Sequence, residues 1–250
     1  MNWIIIILAV ILVIILWYVY TIYNSTPSVA SNIDLSTTAL SITGDKIKGG
    51  TSATYAIGCW LYVKSMPTTA IDILQYVVTS GYVSPNPKST DTSNNNVIFS
   101  LNLDSTRPTL IANVATGSGS AGTLKAVTVT TNLPIQTWVH VVVSVSSTYI
   151  DTYLNGKLVQ STPFANPFTT TSYPVDNKTG PTFSSHPTTA NPCPVIITGL
   201  SRWNAPLDPQ TVWNYYAQGN GNAMQQMLGS DYHLDVVFKK DDNAHDWKIF

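Results

Sequence analysis

Apolar positions along the chain follow two regimes. Trp3 to Val19 is apolar almost without interruption, dominated by Ile, Val and Leu, and no charged side chain appears before Asp34. From Tyr55 onward apolar residues recur at every second position, in short runs between loops of Asn, Ser, Pro and Gly. The first regime predicts a helix in lipid, the second a set of half-buried strands.

A helix from Asn2 to Tyr23 is about 33 Å long at ~1.5 Å per residue, enough for a hydrocarbon core of about 30 Å. Ile7, Val10 and Ile14 occupy its middle, Trp3 one end, and Trp17, Tyr18, Tyr20 and Tyr23 the other. Amphipathic rings favour the headgroup level, so both ends are marked as interfaces with a lipid bilayer. The β-branched residues are no objection, because in lipid the backbone satisfies its own hydrogen bonds only as a helix. The rival is a cleaved signal peptide ending near Ser28-Val29-Ala30. Against it, the positive leading segment is missing and the apolar run is longer than such peptides carry. We read residues 1–23 as a single-pass anchor. Lys46 and Lys48 lean towards a cytosolic domain, although they lie beyond the ~15–20 residues over which flanking charge orients a helix.

Residues 24–34 read as a short linker and 35–224 as one β-sandwich, a size that single all-β domains reach. Tyr55 to Val63 places Tyr55, Ile57, Cys59 and Leu61 on one face and Trp60 and Tyr62 on the other. Val97 to Leu103, Thr109 to Val114 and Leu124 to Val129 alternate in the same way, the mark of an antiparallel sandwich. Trp138 to Val145, Tyr149 to Leu154 and Lys157 to Ser161 continue the series, and Asn155-Gly156 predicts a type I′ turn, which needs positive φ at both residues. A helix follows: Asp208 fits the N-cap, Pro209 the first turn and Gly219 the stop. It is expected at the end of the sandwich. Residues 225–250 read as a C-terminal hairpin around Lys240-Asp241-Asp242-Asn243.

Composition sharpens this picture. Charged residues make up 10% of the chain and the formal net charge is −1, against roughly 25% charged residues in ordinary soluble proteins. That surface lacks the clustered basic face that nucleic acid requires. Cys59 and Cys193 are the only cysteines. They show no metal-binding spacing and are either one disulfide or two buried thiols.

Two segments resemble a known family. Trp138-Val139-His140-Val141-Val142-Val143 with Tyr153-Leu154-Asn155-Gly156-Lys157-Leu158-Val159 is similar to the hallmark of laminin-G-like domains, which share the concanavalin-A-like jelly roll. Ile197-Thr198-Gly199-Leu200-Ser201-Arg202-Trp203-Asn204-Ala205-Pro206-Leu207, running into Tyr215-Tyr216-Ala217-Gln218-Gly219, resembles the family's late strand, loop and short helix. The resemblance spans roughly Leu35 to Gly221 and implies an all-β antiparallel sandwich. It leaves function open, because one fold hosts many functions. The layout of anchor, sandwich and C-terminal extension also resembles proteins of large nucleocytoplasmic DNA viruses that infect algae and protists.

Candidate chemistry is sparse. Catalytic families on this fold resemble one another in a Glu-x-Asp-x-x-Glu strand, and retaining hydrolysis needs two carboxylates about 5 Å apart. The chain has no Glu, so we expect no enzyme. Gly117 to Gly122 matches a dinucleotide fingerprint, but the β-branched run after it predicts a hairpin and not the required helix. His140 reads as a hydrogen-bonded core residue, and His186, His233 and His245 are scattered. Some laminin-G-like domains hold calcium, for which Asp72, Asp104 and Asp176 are the candidates; no Asp-rich calcium loop occurs, and no other cofactor is indicated. Tyr82, Tyr173 and Trp203 are candidate glycan-stacking residues. Asn24 and Asn177 open glycosylation sequons, meaningful only in a lumenal domain.

Two functional readings follow. One is a structural virion protein, anchored in the internal viral membrane and contacting capsid or minor capsid proteins. The other is a membrane-anchored lectin or adhesion module on a cell or virion surface.

Overall fold

The computed structural model describes residues 3, 7, 10–14, 16, 28–30, 32–47, 52–77, 97–117, 123–165, 181–185, 193–220, 235–240 and 243–248. Within the apolar N-terminal run, Trp3, Ile7, Val10 to Ile14 and Leu16 are helical and exposed. Among the described residues no helix is long and apolar enough to cross a membrane. Trp17, Tyr18, Tyr20 and Tyr23 lie outside the described residues.

The strands are β1 (Ser28–Ala30), β2 (Ile33–Asp34), β3 (Ser41–Ile42), β4 (Tyr55–Val63), β5 (Ile71–Val77), β6 (Val97–Leu103), β7 (Leu110–Thr116) and β8 (Thr123–Thr130). They continue with β9 (Trp138–Val145), β10 (Tyr149–Leu154), β11 (Lys157–Pro163), β12 (Thr182–Ser184) and β13 (Val195–Trp203). Helix α1 (Pro209–Ala217) follows, then β14 (Asp235–Lys240) and β15 (Asn243–Lys248). A seven-stranded sheet runs β1-β13-β4-β9-β10-β11, with β2 also on β13, and a six-stranded sheet runs β3-β12-β5-β6-β7-β8. Strand pairing is antiparallel throughout both sheets.

The alternation expected in β4 and β9 holds. Ile57, Cys59, Leu61, Val139, Val141, Val143 and Val145 face the inter-sheet core, and Phe99, Leu101, Ala112, Val114 and Val127 meet them from the other sheet. Arg202 is buried at one side of this core, 5.5 Å from the Tyr55 ring centre and 5.3 Å from that of Tyr76. Its guanidinium lies over both rings, the geometry of a cation–π contact.

The segment read as a linker takes part in the fold. β1 pairs Ser28 with Ser201, β2 pairs Asp34 with Ile196, and the Leu35 N–H donates to the Val195 carbonyl. The sheet therefore begins at Ser28. The Asn155-Gly156 turn has φ of 49° and 76°, as a type I′ turn requires. In α1 the Asp208 carboxylate accepts from the Thr211 N–H at 3.0 Å, Pro209 opens the first turn, and Gly219 closes it at φ 78°.

The helix packs on a face of the sandwich and not on its end. Val212 and Leu207 close over Val142 and Tyr153 on the outer side of the seven-stranded sheet. The strands on either side of the glycine-rich segment are antiparallel partners, Thr116 opposite Thr123. β14 and β15 pair from Asp235–Lys248 to Lys240–Asn243, forming a separate two-stranded ribbon.

The two cysteines are free and buried. Register explains why. Val195 lies opposite Val63, so Cys193 falls beyond the end of β4 while Cys59 sits mid-strand opposite Val141. Along β4 alone four residues separate Cys59 from Val63, about 13 Å at ~3.3 Å per residue. A disulfide needs Cα atoms within about 7 Å. Burial pushes both thiols up to about 12.

Candidate functional site: a buried polar row and an aromatic face

The outer face of the six-stranded sheet carries polar side chains in register. Gln75 lies opposite Ser100, Ser100 opposite Asn113, and Asp72 opposite Asn102. In a regular strand residues 72 and 75 would point to opposite faces. A bulge between Asp72 and Leu74 turns both Ile73 and Leu74 into the core and returns Gln75 to the side of Asp72. The Asp72 carboxylate accepts from Gln75 Nε2 at 3.0 Å, from Asn102 Nδ2 at 3.3 Å and from Ser100, and Asn113 donates to Ser100 Oγ at 3.1 Å. Asp72, Gln75, Ser100 and Asn102 are at most 5% exposed. Burial pushes the Asp72 carboxyl up to about 6, against the pull of these hydrogen bonds. Such a group takes up or releases a proton in mildly acidic conditions.

The outer face of the seven-stranded sheet is aromatic. Trp60 stacks on Tyr216 of α1 at 5.6 Å and 21°, and lies 5.0 Å from the His140 ring. Tyr62 pairs with Trp138, and Trp213 with Tyr216. Trp203 packs on Tyr215 and donates from its ring N–H to the tyrosine hydroxyl at 3.1 Å. A Cβ on Gly58 would stand 3.0 Å from the Trp203 ring, so the absence of a side chain there lets the indole lie against β4. Trp203 thus packs between β4 and α1 and is half-buried.

His140 is a core residue, as expected, but its Nδ1 is buried without a hydrogen-bond partner. Burial pushes its pKa down to about 4, which keeps the ring neutral at ordinary pH. Its backbone is fixed to the turn: the His140 N–H donates to Asn155 Oδ1 and the Asn155 N–H to the His140 carbonyl.

The calcium candidates Asp72 and Asp104 are each engaged by other groups of the chain. Asp72 lies one residue inside the start of β5, opposite Asn102, and the amide N–H groups aimed at it would repel a cation. Asp104 accepts from the N–H and hydroxyl of Thr106 within its own turn. Among the described residues no three His, Cys, Asp or Glu side chains group as metal ligands. As placed, Asp72 and Asp104 do not fit a calcium site. Asp176, Tyr82, Tyr173, Asn24 and Asn177 lie outside the described residues. Sequence reasoning missed Gln75, Ser100, Asn102 and Asn113. Their signal was present as isolated polar residues inside apolar runs.

A family model described as the concanavalin A-like lectin/glucanases superfamily, of laminin G type, matches residues 34–215. The chain belongs to that superfamily. No curated protein matches it in sequence. Solved structures of similar shape include Trypanosoma rangeli sialidase in complex with sialic acid, at 12% identity and TM-score 0.43, covering 71% of this chain and 24% of that one. They also include the binding domain of botulinum neurotoxin DC in complex with SialylT, at 12% identity and TM-score 0.47, covering 72% and 39%. The superfamily member therefore spans well under half the length of these proteins.

The expectation that the chain is no enzyme is overturned. A sialidase stands among the matches, so this fold occurs in enzymes, and the missing Glu pair closes only one catalytic route. At 12% identity the likeness shows the fold alone and establishes no catalysis for this chain.

Proposed function

We propose that the chain is a structural virion protein of a large nucleocytoplasmic DNA virus, anchored in the internal viral membrane and contacting the capsid shell through its laminin-G-like sandwich. The observation that carries this reading is the tether. Tyr23 ends the apolar run and Ser28 is already paired to β13. Five residue steps reach at most about 17 Å, so the sandwich stays close to the bilayer. A low-charge surface suits static packing better than steering of a diffusing ligand. Mass spectrometry of purified particles should recover the anchored chain with bare Asn24 and Asn177. Recovery only from host plasma membrane, with both sequons glycosylated, rejects the reading.

A second reading, a membrane-anchored carbohydrate-binding module on a cell or virion surface, draws support from the lectin branch of the superfamily and from Trp213, which is 43% exposed beside Tyr216. Glycan-array binding that Trp213→Ala abolishes supports it; an empty array removes it.

A further inference from the structure

The tether enters the fold at the seven-stranded sheet. Ser28 pairs with Ser201 of β13, Ser201 lies opposite Gly58 of β4, and Gly58 opposite Val142 of β9. Two strand spacings of ~4.8 Å therefore put Ser28 about 10 Å from Gly58. The apolar run ends at Tyr23, at most about 17 Å of chain from Ser28. A bilayer that holds the run comes within that reach of this sheet, and the six-stranded sheet is the second layer, about 10 Å away.

The outer side of the seven-stranded sheet is aromatic and uncharged along its middle strands. Its outward pairs on β4 and β9 run from Tyr62 and Trp138, through Trp60 and His140, to Gly58 and Val142 under α1. None of these carries a charge, His140 being kept neutral by burial. α1 adds none, although Gln210, Trp213, Asn214 and Ala217 on it are exposed. Asp151, opposite Ser144, and Lys157, after the turn, flank the patch. Tyr62, Trp138, Trp60 and Tyr216 are half-buried, and Trp213 is 43% exposed. The Trp203 ring N–H is tied to Tyr215, but among the described residues no such bond engages the ring N–H of Trp60, Trp138 or Trp213.

We infer that this aromatic side, with α1, rests in the headgroup layer of the membrane that holds the N-terminal run, with neutral phospholipid as its partner. The inference rests on the anchored reading and adds which side of the sandwich meets lipid. Rings with an apolar body and a wet polar tip settle at the headgroup level. A patch without charge does not steer a charged surface towards itself. The short tether raises the local concentration of lipid, so weak partitioning of a few rings suffices.

Depth-dependent quenching tests it. Asn214→Cys on α1 and Ala126→Cys, opposite Asn113 on the outer side of the six-stranded sheet, are both exposed positions. They are introduced singly into the full chain and labelled with an environment-sensitive fluorophore; Cys59 and Cys193 are buried and stay unlabelled. In phosphatidylcholine vesicles that contain a lipid with a headgroup nitroxide, the label at 214 should be quenched several-fold more than the label at 126, in low and high salt alike. Adding Trp213→Ala to the Asn214→Cys chain should bring its quenching down towards that at 126. Equal quenching at the two positions, or quenching that needs anionic lipid and fades in salt, overturns the inference while the chain still resists alkaline carbonate. Glycan binding that depends on Trp213, with no quenching at 214, overturns it in favour of a sugar site. Extraction of the chain by carbonate rejects the anchored reading itself, and the inference with it.

Discussion

The two sheets share one core but finish their outer faces in opposite ways. The seven-stranded sheet turns out Trp60, His140, Val142 and Tyr153 and covers them with α1. The six-stranded sheet turns out Asp72, Gln75, Ser100, Asn102 and Asn113, which bond to one another. Apolar covering is non-directional, so rings at the margin can stay half exposed and one histidine nitrogen can go without a partner. A buried polar row has no such latitude, because each unpaired group costs about 1–3 kcal/mol. The aromatic face should therefore respond to changes of shape and the polar face to changes of charge.

The sharpest break is expected where α1 meets the turn. A Cβ at Gly156 would lie 2.9 Å from the Trp213 ring and 3.0 Å from Tyr216, at a φ of +76°. Gly156→Val therefore combines a strained backbone with overpacking, each worth about 1–3 kcal/mol. We expect a loss of about 3 kcal/mol, a fall in Tm of roughly 6–12 °C for a domain of this size. A melting temperature within a degree of the wild type would show that shape does not govern this face.

On the other face the test is pH. The Asp72 carboxyl is raised from 3.8 to about 6 on folding, so the native state holds its proton longer than the unfolded chain. Stability from this group is greatest at acid pH, declines as pH rises from about 4 through about 6, and is flat above. At ~1.36 kcal/mol for each tenfold change in proton affinity the full effect approaches 3 kcal/mol, of which about 2 falls between pH 4 and pH 7. Denaturant titrations of wild type and Asp72→Asn should diverge by that amount across the interval. Parallel curves would mean that Asp72 is not buried as an ionisable group.

The same contrast explains what could be read beforehand. β4, β9 and the Asn155-Gly156 turn were legible because their periodicity is unbroken and the turn chemistry is local. β5 was not, because the bulge at Ile73 and Leu74 breaks the alternation of Ile71 to Val77. β1 and β2 were hidden because strands of two or three residues form only on an edge supplied by β13, far along the chain. The helix itself was signalled by Asp208, Pro209 and Gly219, but not its place, since Tyr215 and Tyr216 needed Trp203 and Trp60 to face. Asp72 was singled out for calcium from its residue type, and only register across three strands shows that amides already occupy its oxygens.

A milder change probes the rings alone. Tyr216→Ala removes the stack on Trp60 and the contact with Trp213 while leaving the helix cap in place. Aromatic pairs contribute about 0.5–1.5 kcal/mol beyond area, so a loss of about 1.5 kcal/mol is expected, and Tyr216→Phe should restore most of it. Failure of phenylalanine to rescue would assign the effect to the hydroxyl and undo the stacking account.

The smallest expected effect lies between the two faces, at the end of the sheet where β4 finishes. Lys64 donates to the Asp34 carboxylate, and both side chains are about a third exposed. The bonds from Lys64, first, and from Ser36 hold the Asp34 carboxyl below its ordinary value. A lowered folded pKa means that the contribution is present above about pH 4 and is lost as pH falls through the folded value, opposite in sign to Asp72. Water and salt screen a pair this exposed, so Lys64→Met should cost only about 0.5 kcal/mol at neutral pH. High salt should shrink that difference, and acid strong enough to protonate Asp34 in the folded state should abolish it. A cost well above 1 kcal/mol that ignores salt would mean that Lys64 acts through the packing of its methylene stem, and this end of the sheet would then be held by shape in the manner of the aromatic face.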